Sequence, residues 1–150
     1  MRIRLLQKKD IKDAAAIVGK NYSKKWEKTS TAEIASMFSK DAAIRPKYYV
    51  AEEKGAIIGF AGYTQSWMDY NVYQIFWVNV LPEWQGKGIG KKLVAMVIDD
   101  IKRHKGARLI QLTATPSNAR YYKKHFDFKI LEKLHGTSLY YLMSLALPKR

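Results

Sequence analysis

The chain has no cysteine. That absence excludes disulfides, thiolate metal ligands and a thiol nucleophile, and it suits a reducing compartment. Acidic residues are scarce: 13 Asp and Glu stand against 27 Lys and Arg, a formal net charge of +14. Long apolar runs are missing as well. No segment approaches the roughly 20 residues that a membrane-spanning helix needs, and Met1 to Asp10 holds no apolar core of the ~7–15 residues typical of a secretory signal. The expectation is therefore a cytoplasmic protein without a membrane partner. The three histidines, His104, His125 and His135, have no metal-ligand spacing and sit in basic surroundings, so no metal is expected. Repeats and low-complexity tracts are absent.

The excess positive charge admits three readings: a solvated lysine-rich surface, attraction of a polyanionic cofactor, or nucleic-acid binding. Its carriers are scattered from Arg2 to Arg150 and form no basic arm. Scatter favours a solvated surface and speaks against nucleic acid as a partner.

What is present is enough for one domain spanning residues 1–150, since 47% of the residues are hydrophobic and the length supports a core without staples. A strand is expected at Ile3 to Leu6, then a helix from the N-cap Asp10 to about Lys20. Ser30-Thr31-Ala32-Glu33 has the capping-box pattern and predicts that a second helix begins there. Lys47 to Glu53 and Ala56 to Gln65 read as strands of a hairpin turning at Lys54-Gly55. Val72 to Leu81 is apolar enough to predict a central strand buried on both faces. Leu93, Val94, Val97, Ile98 and Ile101 form the stripe of an amphipathic helix that Gly106 ends. A strand from Ala107 to Thr113, a helix from Pro116 to His125, and strands at Phe128 to Leu134 and Leu139 to Leu147 follow. The fold class is α/β (α+β), a mixed central sheet with elements in the order β-α-α-β-β-β-α-β-α-β-β.

The most informative segment is Gln85-Gly86-Lys87-Gly88-Ile89-Gly90, between the central strand and the amphipathic helix. Alternate glycines allow close backbone approach and positive φ, and the free amides and dipole of a helix N-terminus attract an anion. The segment is a phosphate-binding turn. It is not a Walker A loop, because too few residues separate Gly86 from Gly90 and Lys91 is followed by Lys92. Nor is it a dinucleotide fingerprint, which would need glycine at Lys91. Lys91 and Lys92 in the first helical turn oppose the helix dipole, a local violation that points to an anion nearby.

The segment resembles the Q/R-x-x-G-x-G/A signature of the GNAT superfamily of acetyl-CoA-dependent N-acetyltransferases, with Gln85, Gly88 and Gly90 in register. Val78-Asn79-Val80-Leu81-Pro82 is similar to the family's fourth strand and its exit, and Asn118, Tyr121, Tyr122 and Phe128 to its later helix. The resemblance implies acetyl-CoA or coenzyme A as cosubstrate and direct transfer, in a ternary complex, to a primary amine of a small molecule or protein. It implies that the amides of Gly86, Lys87, Gly88, Ile89, Gly90 and Lys91, with the Gln85 side chain, hold the pyrophosphate. It further implies that the Val78 amide meets the oxyanion, that Val80 pairs with the pantetheine arm and that Asn118 contacts the cofactor. A helical tyrosine protonates the leaving thiolate in such enzymes; Tyr122 is favoured here over Tyr121, although Asp127 replaces the usual glycine and the spacing to Phe128 is one residue longer.

Attack requires a neutral amine, and alkyl ammonium groups are protonated at neutral pH. Some family members use a fourth-strand glutamate as base, but the corresponding position here is Gln74, which cannot serve. Glu52, Glu53 and Asp69 remain as candidates, beside a chain of water. Family position also assigns the acceptor site to Tyr22, Trp26, Trp67, Met68, Asp69, Tyr70 and Gln74, an aromatic set suited to an amine on an apolar body. Two other functions stay open at this point: a basic nucleic-acid-binding protein, and a non-catalytic acyl-CoA-binding regulatory module. A homodimer is also left open.

Overall fold

In a computed structural model, which describes residues 1–149, seven strands form one sheet in the order β1-β2-β3-β4-β5-β7-β6. They are β1 (Arg2–Leu5), β2 (Lys47–Glu53), β3 (Ala56–Gln65), β4 (Val72–Val80), β5 (Leu109–Ala114), β6 (Lys129–His135) and β7 (Leu139–Ala146). The helices are α1 (Ile11–Asn21), α2 (Lys24–Ala35), α3 (Ile89–Lys102) and α4 (Pro116–Phe126), so the element order is the expected one. All neighbouring strands are antiparallel except β4 and β5, which are parallel and joined through α3.

Period-two alternation divides the buried residues between two layers. Along β2, Tyr48 and Val50 join α1 and α2 through Ala14, Ile17, Val18 and Ile34. The intervening Tyr49 and Ala51 join α3 and α4 through Leu93, Val94, Val97 and Ala119. An apolar run such as Tyr48-Tyr49-Val50-Ala51 is what a strand covered on both faces requires. The β2–β3 hairpin turns at Lys54 and Gly55, whose φ values of 50° and 81° are the paired positive angles of a two-residue turn matched to strand twist.

Three expectations need correction. Helix α2 begins at Lys24, not at Ser30, with Ser23 as its extended N-cap residue. Ser30 is buried inside the helix and its hydroxyl donates to the Glu27 carbonyl at 3.0 Å, while Thr31 donates to the same oxygen at 2.8 Å. Serine and threonine can satisfy themselves on a preceding carbonyl in this way, so a capping-box pattern need not mark a helix start. Strand β4 is not buried along its whole length: Gln74 is exposed, and Phe76, Trp77 and Val78 are half-buried. Finally, Ala107 and Arg108 belong to the connection before β5, where the Arg108 amide donates to the Asn71 carbonyl at 2.8 Å.

Candidate active site

The glycine turn grows out of the end of β4. Leu81 leads into a single 3₁₀ turn, Pro82–Trp84, and the chain then passes through Gly86 and Gly88 at φ values of 77° and 82°. Gly88 caps α3 in the left-handed conformation and has no side chain to offer, so the first amides of the helix stay unpaired by any cap. A Cβ atom built on Gly86 or Gly88 would meet nothing within 4 Å. The protein leaves this space open, and what demands glycine is the backbone angle. A cavity of about 200 Å³ lies there, between the turn and Tyr121. Lys87 lies over the Trp84 ring at 4.8 Å, and Lys91 and Lys92 are exposed.

Side chains tie this turn to the rest of the cleft. Gln85 donates through Nε2 to the Val80 carbonyl at 3.0 Å and to Asn21 Oδ1 at 3.3 Å. Asn21 in turn donates to that same carbonyl at 3.0 Å and to Asn79 Oδ1 at 2.9 Å. Asn79 is only 4% exposed. Neither asparagine was a sequence candidate, yet an Asn within the apolar run Val78-Asn79-Val80 is the kind of signal that could have found one, because a buried amide needs partners.

Beyond the turn the sheet opens. Strands β4 and β5 pair only at Val72 with Leu109, Tyr73 with Ile110 and Gln74 with Gln111, and then part. On its other edge β4 carries a bulge: Phe60 faces Asn79 and Gly62 faces Phe76, so Trp77 and Val78 together oppose Ala61. Trp77 has φ 51°, a left-handed value that costs a non-glycine residue of order 1–3 kcal/mol and persists only where the surroundings impose it. A bulge breaks the ladder locally and re-aims the groups beside it.

The opening holds two adjoining cavities, of about 250 and 570 Å³, which share Tyr22, Val78, Asn79 and Asn118. The larger one meets the glycine-turn cavity at Val80 and Gln85. One groove therefore runs from the free amides of α3 to the bulge, and the smaller cavity brings Tyr122 to Val78 along it. Tyr122 is 8% exposed, and burial holds its hydroxyl well above the ordinary tyrosine range, with smaller contributions from Tyr121 and Tyr22. It stays protonated at neutral pH. Tyr121 points elsewhere, lining the glycine-turn cavity beside His125 at a ring separation of 4.8 Å. Thr115, not Asn118, caps α4: its hydroxyl oxygen accepts the Asn118 amide at 3.4 Å. Tyr140 of β7 and Thr113 of β5 also line the opening and were not sequence candidates.

Several predicted residues lie elsewhere. Glu52 accepts from Arg2 at 2.8 Å and Arg4 at 3.2 Å, and these bonds, Arg4 first, hold its carboxyl below the usual range. Glu53 pairs with the N-terminal ammonium at 2.9 Å. Both belong to the β1 edge of the sheet. Trp67, Met68, Asp69 and Tyr70 occupy the β3–β4 connection, before the first residue of β4, which places them about 20 Å along the strand from Val78 at ~3.3 Å per residue. The Asp69 carboxylate accepts the Asn71 amide at 2.8 Å. Gln74 stands at the vertex where the strands part. Tyr22 and Trp26 do come together, flanking Trp77 with ring separations of 6.4 and 6.3 Å. Among the described residues there is no group of three or more His, Cys, Asp or Glu able to hold a metal, and no helix is long and apolar enough to cross a membrane.

The family model described as "Acetyltransferase (GNAT) family" matches residues 11–128. The chain belongs to the GNAT acetyltransferase family. Solved GNAT folds superpose over nearly their whole length. One is an aminoglycoside 6'-N-acetyltransferase complexed with coenzyme A, 13% identical, covering 100% of this chain and 99% of that one with a TM-score of 0.82. Another is a Salmonella typhimurium protein with its cofactor acetyl-CoA, 19% identical, covering 100% and 95% with a TM-score of 0.72. A ribosomal-protein-alanine N-acetyltransferase from Brucella melitensis is 17% identical, covering 98% and 100% with a TM-score of 0.70. No curated protein sequence matches. For a GNAT chain, the parted strands, the bulge and the glycine turn are the elements along which an extended thioester donor can lie.

Proposed function

We propose that the protein transfers an acetyl group from acetyl-CoA to a primary amine by direct attack in a ternary complex. The observation that carries this is the continuous groove from the uncapped amides of α3 to the bulge at Trp77 and Val78. Pyrophosphate binds the amides from Gly86 to Lys91, each amide bond to a charged acceptor being worth roughly 1.5–3 kcal/mol. Pantetheine runs along Val80 toward Asn118. To bond there it takes over part of the Val80 carbonyl that Gln85 and Asn21 otherwise occupy.

The amine nitrogen attacks the thioester carbon, and the Val78 amide stabilises the oxyanion as charge develops. As the tetrahedral intermediate collapses the C–S bond breaks, and the neutral Tyr122 hydroxyl donates its proton to the thiolate. Gln74 cannot take the amine's proton and Glu52 is held by two guanidinium groups, so the proton departs through water. The test is release of free thiol from acetyl-CoA in the presence of an amine panel, alongside calorimetric binding of coenzyme A. Saturable coenzyme A binding and amine-dependent thiol release are expected; no binding at high micromolar concentration overturns the assignment.

A further inference from the structure

On the α2 side of the sheet, a separate pocket of about 280 Å³ is bounded by Glu33, Ser36, Pro46, Tyr48, Phe76 and Trp77, with Thr64 beside them. Phe76 and Trp77 also line the opening between β4 and β5. The pocket and the reaction cleft are thus two sides of the same wall, at the bulge where the acetyl group is expected to lie. The pocket's surface is almost wholly apolar apart from one carboxylate. Glu33 accepts a hydrogen bond from Trp77 Nε1, which leaves most of its lone-pair sites free, since a carboxylate offers about four. Around that point the Tyr22 and Trp26 rings stand edge-on to Trp77 at 6.4 and 6.3 Å. The floor is Tyr48, fully buried, whose hydroxyl is the one buried side-chain polar atom among the described residues without a partner.

We infer that this pocket takes the apolar body of the acceptor, with Glu33 and the Tyr22–Trp26–Trp77 rings holding its single ammonium group beside the cleft. The inference rests on the acetyltransferase reading and narrows its acceptor to a small monoamine on an aliphatic or aryl body. Aromatic faces and one carboxylate are the partners such a cation needs. The pocket lies just below the ~300–1,000 Å³ usual for small-molecule sites, which suits a body of one ring and not an oligosaccharide. Charge argues the same way. A polycationic acceptor would approach a chain of net charge +14, past Lys20, Lys24, Lys25 and Lys28 on α1 and α2, with only Glu33 to receive several ammonium groups. Sequence reading had placed the acceptor's carboxylate at Asp69, because Glu33 looked like half of a capping box.

The experiment compares phenethylamine with spermidine, kanamycin and a peptide beginning with alanine, in wild-type protein and in Glu33→Gln and Ser36→Phe. Glu33→Gln keeps an oxygen for Trp77 and removes the charge; Ser36→Phe fills the pocket from the end of α2. Thermal melts verify that both variants fold, and coenzyme A titration verifies that the donor site is intact. Phenethylamine is expected to be the best acceptor, with KM raised about 10- to 100-fold by Glu33→Gln, the span of one charged hydrogen bond, and raised further by Ser36→Phe. An unchanged KM in both variants, or preference for spermidine, kanamycin or the peptide, overturns the inference while leaving acetyl transfer standing. If no acceptor is acetylated, direct calorimetric binding of phenethylamine decides the pocket by itself: binding weakened at least 10-fold by Glu33→Gln upholds it, and no binding, or equal binding, overturns it.

Discussion

The two ends of α3 face opposite chemical demands. At its N-terminus the cap is glycine, the amides are unpaired, Lys91 and Lys92 oppose the dipole, and the adjoining space is open. At its C-terminus Asp100 is 5% exposed and fully engaged: Lys47 Nζ lies at 2.8 Å, the Tyr63 hydroxyl donates at 2.7 Å, and Arg103 stands at 3.4 Å. His104 completes that end, stacked on Tyr73 with ring centroids 5.3 Å apart. Lys102 and Arg103 there obey the dipole that Lys91 and Lys92 oppose. Groups satisfied within the chain hold the fold together; groups left unsatisfied at the same element's other end are reserved for a ligand.

That contrast is testable by breaking each end separately. The largest effect belongs to the reaction cleft that the N-terminal end serves. Tyr122→Phe is expected to lower turnover about 10²–10⁴-fold, the span of general acid–base catalysis, with coenzyme A affinity retained because the ring remains. Steady-state kinetics under conditions where chemistry limits the rate would expose an error as near-wild-type turnover. Next comes Gly88→Val, which places a β-branched residue at φ 82° and fills the space kept for pyrophosphate. Loss of several amide bonds should weaken coenzyme A binding by at least ~10²-fold while the protein stays folded; wild-type affinity in a folded variant would remove the phosphate assignment.

At the other end, Asp100→Asn should cost about 2 kcal/mol of stability, the scale of hydrogen bonds to a charged group, without altering coenzyme A affinity. Urea denaturation with a parallel binding titration separates the two. A pH series sharpens the point. Burial alone would raise the Asp100 pKa, but the bonds from Lys47, Tyr63 and Tyr49 together hold it below the ordinary carboxylate value. A depressed carboxyl contributes stability above its unfolded pKa of about 3.9 and loses it as pH falls through the folded value. Wild-type stability should therefore decline below about pH 4, and Asp100→Asn should decline less steeply; equal slopes would mean that the pair contributes nothing. The smallest effect is expected of Tyr121→Phe, which should leave turnover within about twofold, because its ring faces the glycine turn and not Val78. A large loss there would mean that the two tyrosines exchange roles.

Much of this fold was legible because its signals are local. Alternation wrote β2 and β3 to the residue, the 3.6-residue stripe wrote α3, and glycines at positive φ wrote the phosphate turn, since each depends only on neighbours along the chain. The Gln85–Gly90 segment by itself determined the family and the anion site. Where the reading failed, the deciding contact was distant in sequence. Whether Ser30 starts a helix or lies inside one depends on how far α2 extends to pack Ile34 against Phe60 and Tyr48. Which carboxylate reaches the cleft depends on the end of β4 from which a loop emerges, and that separated Asp69 from Val78 while bringing Glu33 to Trp77 from 44 residues away. The parting of β4 and β5 and the bulge at Trp77 were likewise decided only in three dimensions, because strand separation and register are properties of paired strands and of the layers packed on them, not of either strand's own sequence.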